Sequence, residues 1–182
     1  MQIKTLPFAI NTDLHKNDQN EKTNIFVYFK ERNKKELEYV ETFLKSKDVE
    51  IKTPTTIDAA GNEKLVFKGI EDYDIEFIRF TPSGLHKSTT GDFLGKNRIA
   101  NRMHHAGLYV SDVVEANSLF VEILGFKEMW RYKEDNSAVP NYIYLHPATC
   151  IENIEYVVNG NKNSSHPCFS VPEMQQTIYQ LK

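Results

Sequence analysis

The chain has 182 residues, of which 40% are hydrophobic and 26% are charged, and its net charge is -3. This length can bury a core as one domain or as two or three small modules that share a sheet. No long run of Lys and Arg provides the positive surface that attracts nucleic acid or an anionic membrane. We therefore expect a small-molecule substrate as the partner, and we expect neither nucleic acid nor a membrane.

Residues 1–22 carry no targeting pattern and are interpreted as an N-terminal extension. Their apolar stretch, Leu6 to Ile10, is too short for the core of a signal peptide or for a membrane span. The two cysteines, Cys150 and Cys168, form no CxxC pair, and two thiols alone make neither a disulfide framework nor a thiolate zinc site. These features predict a cytoplasmic protein with reduced, structural cysteines.

Three segments repeat the pattern of a short strand, a polar turn and an amphipathic helix, and they begin at Asn24, His105 and His166. In the second copy, apolar residues alternate from Ala106 to Val110 and then recur at helical spacing. The first and third copies show the same change of period. We therefore expect one supersecondary unit to occur repeatedly along the chain.

Local signals mark the predicted helix ends. Asn33 with Glu36 and Asp112 with Glu115 are spaced as capping-box pairs, and Gly125 is typical of a helix end. Strand-like segments follow the first two helices at 64–68 and 73–80, and at 141–145 and 153–158.

A glutamate lies in the last strand of each of the first two units, at nearly the same distance from the start of its unit. These residues are Glu76 and Glu155. Two βαβββ modules are the simplest explanation, with the first over 23–80 and the second over 104–160. Residues 81–103, rich in Gly, Ser, Thr and Lys, form the predicted linker. The fold prediction is α+β: tandem βαβββ modules that form a curved mixed sheet around a cleft, with the helices outside.

The third unit, over 161–182, has a strand and a helix and then reaches Lys182. One interpretation is that the chain is a shortened version of something longer. Another is that this last strand and helix add onto another unit or another subunit. Because the third unit ends in a helix, we also expect the chain to leave a sheet edge or an apolar face open, which favours self-association as a homo-oligomer.

Alternation along the strands places His105 on the face opposite the helix, toward the cleft, and His166 takes the same position in the third copy. His104 then faces the helix and is interpreted as structural. Glu76 and Glu155 lie in strands that are apolar on both faces, where a carboxylate needs a cation, a metal or several donors. Nitrogen and oxygen ligands of this kind suit zinc, manganese, nickel or iron(II).

Other interpretations of these residues do not involve a metal. A strand histidine is often a core or surface residue. Glu76 could pair with Arg79 or a lysine, and Glu155 could pair with Arg102 or Arg131.

The residues around the second copy resemble a known family. The run MHHAGLYVSDVVEANSLFVEILGFKEMW looks like the start of a module of the vicinal-oxygen-chelate superfamily, which includes glyoxalases, extradiol dioxygenases and bleomycin-resistance proteins. The runs IEYVV and HPCFSVPEM resemble the end of that module and the start of its partner, and IEFIRFTPSG resembles the closing strand of an earlier module. The resemblance implies one divalent metal site at His105, Glu155 and His166, and Glu76 matches the closing glutamate of the earlier module.

The resemblance also implies a function. We expect metal-dependent lyase, isomerase or ring-cleaving dioxygenase chemistry on a small substrate with adjacent oxygens, in which the carboxylate of Glu155 moves the proton. The alternative is a metal-free small-molecule binding protein of the bleomycin-resistance type. A purely structural module is a third possibility.

Overall fold

The computed structural model describes residues 8–11, 24–29, 36–89, 92, 100, 102–147 and 152–180. Over these ranges the chain is an α+β protein in which helices accompany two five-stranded mixed sheets. The predicted class is confirmed, and the strands are divided between two sheets.

The first sheet has the strand order β1-β2-β5-β4-β3. Its strands are β1 (Phe8–Asn11), β2 (Asn24–Phe29), β3 (Ile51–Ile57), β4 (Glu63–Lys68) and β5 (Asp74–Arg79). Helix α1 (Glu36–Ser46) packs against β3 and β4. It buries Leu37, Val40 and Leu44, whose spacing of three and four residues places them on one helix face.

The second sheet has the strand order β10-β6-β9-β8-β7. Its strands are β6 (Arg102–Tyr109), β7 (Lys127–Tyr132), β8 (Tyr142–His146), β9 (Asn153–Val157) and β10 (His166–Ser170). Among the described residues, the remaining α-helices are α2 (Leu85–Ser88), α3 (Val113–Asn117), which continues as a π-helical segment over Ser118–Ile123, and α4 (Met174–Gln180), and a short 3-10 helix covers Lys162–Ser164. Buried apolar side chains of both modules belong to a single cluster.

The two modules share one topology and one register. In the first, β2 lies parallel to β5 and Phe26 is the partner of Glu76. In the second, β6 lies parallel to β9 and Gly107 is the partner of Glu155. Each glutamate therefore lies opposite the residue two positions after the start of its repeat. An antiparallel edge strand, β1 or β10, extends each sheet beside the first strand of the module.

The helix signals of the second module have the predicted effect. The Asp112 carboxylate accepts hydrogen bonds from the backbone N–H groups of Val114 and Glu115, at 2.8 and 3.1 Å. Gly125 follows the helical segment with a φ of +75°, the left-handed conformation typical of a helix end. The Asn33 cap lies outside the described residues.

Strands β3 and β7 were not among the strand-like segments of the sequence. Both are outermost in their sheets, so each pairs with one neighbour. Every residue of β7 is exposed, and every residue of β3 is half-buried or exposed. Because neither strand buries a full face, neither carries the alternation of apolar and polar residues that marks a half-buried strand.

The third unit adds its strand to the second module, since β10 pairs with β6 in the antiparallel direction. The strand of the third unit therefore lies beside the first strand of the second module. Among the helices of the described ranges, none has the length and apolar character needed to cross a membrane.

Candidate metal centre

Three of the sequence-predicted ligands meet at one point of the second sheet. They lie on the neighbouring strands β9, β6 and β10. The Nε2 atoms of His105 and His166 are 3.3 Å apart, and Glu155 Oε2 lies 3.4 Å from the first and 3.2 Å from the second. We call this group, His105, Glu155 and His166, the first cluster.

The first cluster has the dimensions of a metal site. Ligand atoms about 2.0 to 2.2 Å from a tetrahedral metal lie roughly 3.3 to 3.6 Å from one another. The observed separations of 3.2 to 3.4 Å are close to this range. His105 and Glu155 are buried, whereas the His166 side chain is 45% exposed and leaves the point accessible from solvent.

The polar groups of the first cluster are arranged to accept a cation. Glu155 Oε2 is buried, and no N–H or O–H group in the described part of the chain donates to it with hydrogen-bond geometry. His166 Nδ1 lies 2.9 Å from the carbonyl oxygen of Ser164 and donates its proton there. The Nε2 atom of a neutral His166 therefore presents a lone pair beside the carboxylate. Two acceptors that face each other at this distance are stabilised by a positive ion between them.

The charge of Glu155 suits that role. Burial raises the pKa of this carboxyl, but the nearby side chains of His105, Tyr144 and His166 lower it by more. The pKa lies below its ordinary value as a result, and the group is ionised at neutral pH.

Two arginines considered as alternative partners are engaged elsewhere. Arg79 Nε donates to Glu63 at 2.7 Å across strands β4 and β5, and Arg131 Nε donates to Glu128 at 2.6 Å within β7. Neither ion pair includes Glu155 or Glu76.

Glu76 is buried on β5, and burial raises the pKa of its carboxyl. Among the described residues it belongs to neither of the two groups of three or more ligand-type side chains. The structure therefore does not bring Glu76 together with the other three residues, and its role as a ligand stays a sequence prediction.

The position of His104 corrects the sequence analysis. Cys168 is the partner of His105 and Phe169 is the partner of Met103, so His104 is an extra residue in β6 at a β-bulge. A bulge interrupts the alternation of side chains and re-aims them. His104 Nδ1 consequently lies 3.0 Å from His105 Nδ1. The signal in the sequence was the adjacent pair of histidines, but the bulge that directs both to one place was not apparent.

Aromatic side chains extend from the first cluster across strands β8 and β7. Tyr144 lies opposite Glu155 and makes an edge-to-face contact with His105 at 5.3 Å between ring centroids. Trp130 contacts Tyr144 at 5.4 Å, and Tyr132 stacks on Trp130 and on Tyr142 at 6.4 Å each. We call these four residues the aromatic wall. Three of them, Trp130, Tyr132 and Tyr142, are exposed.

The first module contacts the loop that carries His166. The Ser165 Oγ atom lies 2.5 Å from the hydroxyl of Tyr73 and accepts a hydrogen bond from the backbone N–H of Tyr109 at 3.0 Å. Lys162 in the same loop pairs with Asp72. These contacts link the position of β10 to the end of the first module.

Solved structures share this arrangement of strands. The 2,3-dioxygenase LapB from Pseudomonas sp. KL28 matches 88% of the chain with a TM-score of 0.61 at 19% identity, and the match covers 59% of LapB. The Mn(II)-bound glyoxalase from Novosphingobium aromaticivorans matches 80% of the chain with a TM-score of 0.55 at 13% identity. The chain has the vicinal-oxygen-chelate fold.

A third structure with this fold supports the assignment. Homoprotocatechuate 2,3-dioxygenase from Brevibacterium fuscum matches 87% of the chain with a TM-score of 0.60 at 15% identity. The chain spans 42% of that dioxygenase and 43% of the glyoxalase. No protein-family model matches the sequence, and no curated protein matches it either. The assignment of the vicinal-oxygen-chelate fold therefore rests on similarity of structure and not on a sequence match.

Proposed function

We propose that this chain binds a divalent metal through His105, Glu155 and His166 and serves metal-dependent chemistry on a small substrate with two adjacent oxygens. Ring-cleaving dioxygenation of a catechol is the reaction we favour. The observation that carries the proposal is the meeting of two imidazole nitrogens and a buried carboxylate oxygen within 3.2 to 3.4 Å of one another.

The donor set supports this chemistry. Two histidines and one carboxylate on one side of a metal, with the other positions open, are the ligand set of non-haem iron(II) oxygenases. When bound, such a cation supplies the Lewis acidity that polarises two adjacent substrate oxygens.

The aromatic wall supports a planar, aromatic substrate. Trp130, Tyr132 and Tyr142 present exposed rings beside the first cluster, and Tyr144 connects them to His105. Rings of this kind bind another ring by offset or edge-to-face stacking, worth about 0.5 to 1.5 kcal/mol per pair beyond the buried area. A catechol held there would direct its two hydroxyl oxygens toward the first cluster.

Tyr144 and Glu155 have complementary protonation states. Burial raises the pKa of Tyr144, and the neighbouring Glu155 carboxylate raises it further, so the phenol keeps its proton at neutral pH. Glu155 is ionised beside it. The pair thus provides one proton donor and one proton acceptor near the position proposed for the substrate oxygens. Glu155 would accept the proton that a substrate hydroxyl loses on binding.

The test is reconstitution of the chain with iron(II) under anaerobic conditions, followed by addition of catechol and air. We expect oxygen uptake together with the visible absorption of a ring-opened product. Glu155→Gln should abolish both, whereas Glu152→Gln, which removes the same charge three residues earlier, should retain them. Methylglyoxal with glutathione, added to the manganese-loaded protein, tests glyoxalase chemistry in parallel.

Two results would contradict the proposal. Wild-type protein that binds catechol equally well with and without metal, and turns over neither substrate, is a metal-free binding protein. Equal activity of Glu155→Gln and wild-type protein would remove Glu155 from the reaction.

A further inference from the structure

A second group of metal-ligating side chains lies beside the first and shares one residue with it. His104, His105 and Cys168 each offer a ligand atom, and these atoms lie within 4.8 Å of one another. We call this group the second cluster. His105 faces the two clusters with different nitrogens, since its Nδ1 is 3.0 Å from His104 and its Nε2 is 3.3 Å from His166.

The β-bulge builds the second cluster. Cys168 on β10 is the cross-strand partner of His105, which places their side chains on the same face of the sheet. The extra residue in β6, His104, then brings a second imidazole to that position. Without the bulge, His104 would point to the opposite face. Cys168 is a free thiol, and both it and His104 are half-buried, so a cation can reach them from solvent.

The chemistry of the second cluster differs from that of the first. A thiolate with two imidazoles is a soft donor set that prefers zinc, cadmium or copper(I), whereas a carboxylate with two imidazoles also accepts harder cations such as manganese. We propose that His104, His105 and Cys168 form a second metal site, selective for a thiophilic cation.

The shared imidazole couples the two clusters. A neutral His105 carries one ring proton, which leaves a single nitrogen with a lone pair. With the proton on Nδ1, toward His104, the Nε2 atom is available to the first cluster. With the proton on Nε2, the Nδ1 atom is available to the second. A cation in the second cluster displaces the proton of the Cys168 thiol to solvent and takes the lone pair of Nδ1. The two clusters therefore compete for His105.

The experiment is a titration of the chelator-treated, reduced full chain with cadmium. Binding by the thiolate is followed through the ultraviolet sulfur-to-cadmium charge-transfer absorption. Cys168→Ser should abolish this absorption. Cys150→Ser, which changes the other cysteine of the chain, should retain it. His104→Ala and His104→Phe should both weaken cadmium binding at least tenfold, and the second variant preserves the volume of the ring. Circular dichroism of every variant verifies the fold.

Variants of the first cluster distinguish the two sites. His166→Ala and Glu155→Gln should keep the charge-transfer absorption and bind cadmium at least as tightly as the wild type, because His105 is released from competition. Loss of the absorption in these variants would mean that Cys168 ligates in the first cluster, and the proposal would be wrong. It would equally be wrong if the wild type showed no absorption, if Cys168→Ser kept it, or if both His104 variants bound cadmium with wild-type affinity.

Discussion

Gly107 provides the space that the His166 ring occupies, and this position offers a sharp test of the first cluster. A Cβ atom added at Gly107 would lie 2.6 Å from His166 Nδ1 and 3.0 Å from its Nε2. Non-bonded heavy atoms are at their optimum near 3.5 to 4.0 Å, so the ring would have to move by about 1 Å. Metal ligation tolerates deviations of only about 0.2 Å. Gly107→Ala should therefore displace His166 from the metal.

The expected loss of metal affinity is at least the roughly 10- to 100-fold that follows loss of a residue supporting a ligand. The assay is a manganese titration against a competing chelator, with thermal unfolding measured on the same samples. The backbone of Gly107 is part of a regular strand, so we expect Gly107→Ala to remain folded.

A double-mutant cycle separates displacement of His166 from general damage. Because Gly107→Ala acts through His166, adding it to His166→Ala should cause almost no further loss of affinity. If Gly107→Ala binds manganese with wild-type affinity, or if the effects of the two substitutions simply add, Gly107 does not act through the position of His166.

Three further predictions concern stability. Tyr73→Phe removes the hydroxyl that contacts Ser165, and urea unfolding should show a loss of about 0.5 to 1.5 kcal/mol; an unchanged midpoint would rule out a stabilising role for this contact. In chelator-treated protein, burial raises the pKa of Glu76 above its value in the unfolded chain. Between these two pKa values the native state binds more protons than the unfolded state, so the free energy of unfolding falls as the pH rises through this interval. Glu76→Gln should remove this fall and be more stable than wild type at neutral pH, and identical pH profiles of stability would contradict the argument. Gly125→Ala forces a side chain into the left-handed backbone region, which should lower the free energy of unfolding by about 1 to 2 kcal/mol. The melting temperature should therefore drop, and an unchanged melting temperature would mean that this strain is absent.

Much of the architecture could be predicted because its signals are local and repeated. Alternation along the first strand of each copy and the cap at Asp112 depend on neighbouring residues, and the structure contains the elements they predict. The matching positions of Glu76 and Glu155 followed from the repeat. Their equivalence in register has the same origin, since two copies of one unit pair their strands in the same way.

Other features depend on contacts that no local pattern carries. The exposed strand β7 lacks a buried face, and the aromatic wall belongs to it and to β8. The bulge at His104 arises from the pairing of β6 with β10, whose residues are some 60 positions apart in the chain. The contact between Tyr73 and Ser165 joins residues 92 positions apart. Tertiary pairing determines each of these features.

The metal content of the purified chain is the most direct test of metal binding by His105, Glu155 and His166. Manganese is the appropriate cation, because it is a poor partner for the thiolate of the second cluster. After dialysis against manganese and removal of the excess, we expect about one equivalent per chain in the wild type and in the control His146→Ala, and almost none in folded His105→Ala. Wild-type protein without manganese, or a His105→Ala variant that retains a full equivalent, would mean that this cluster is not the metal site.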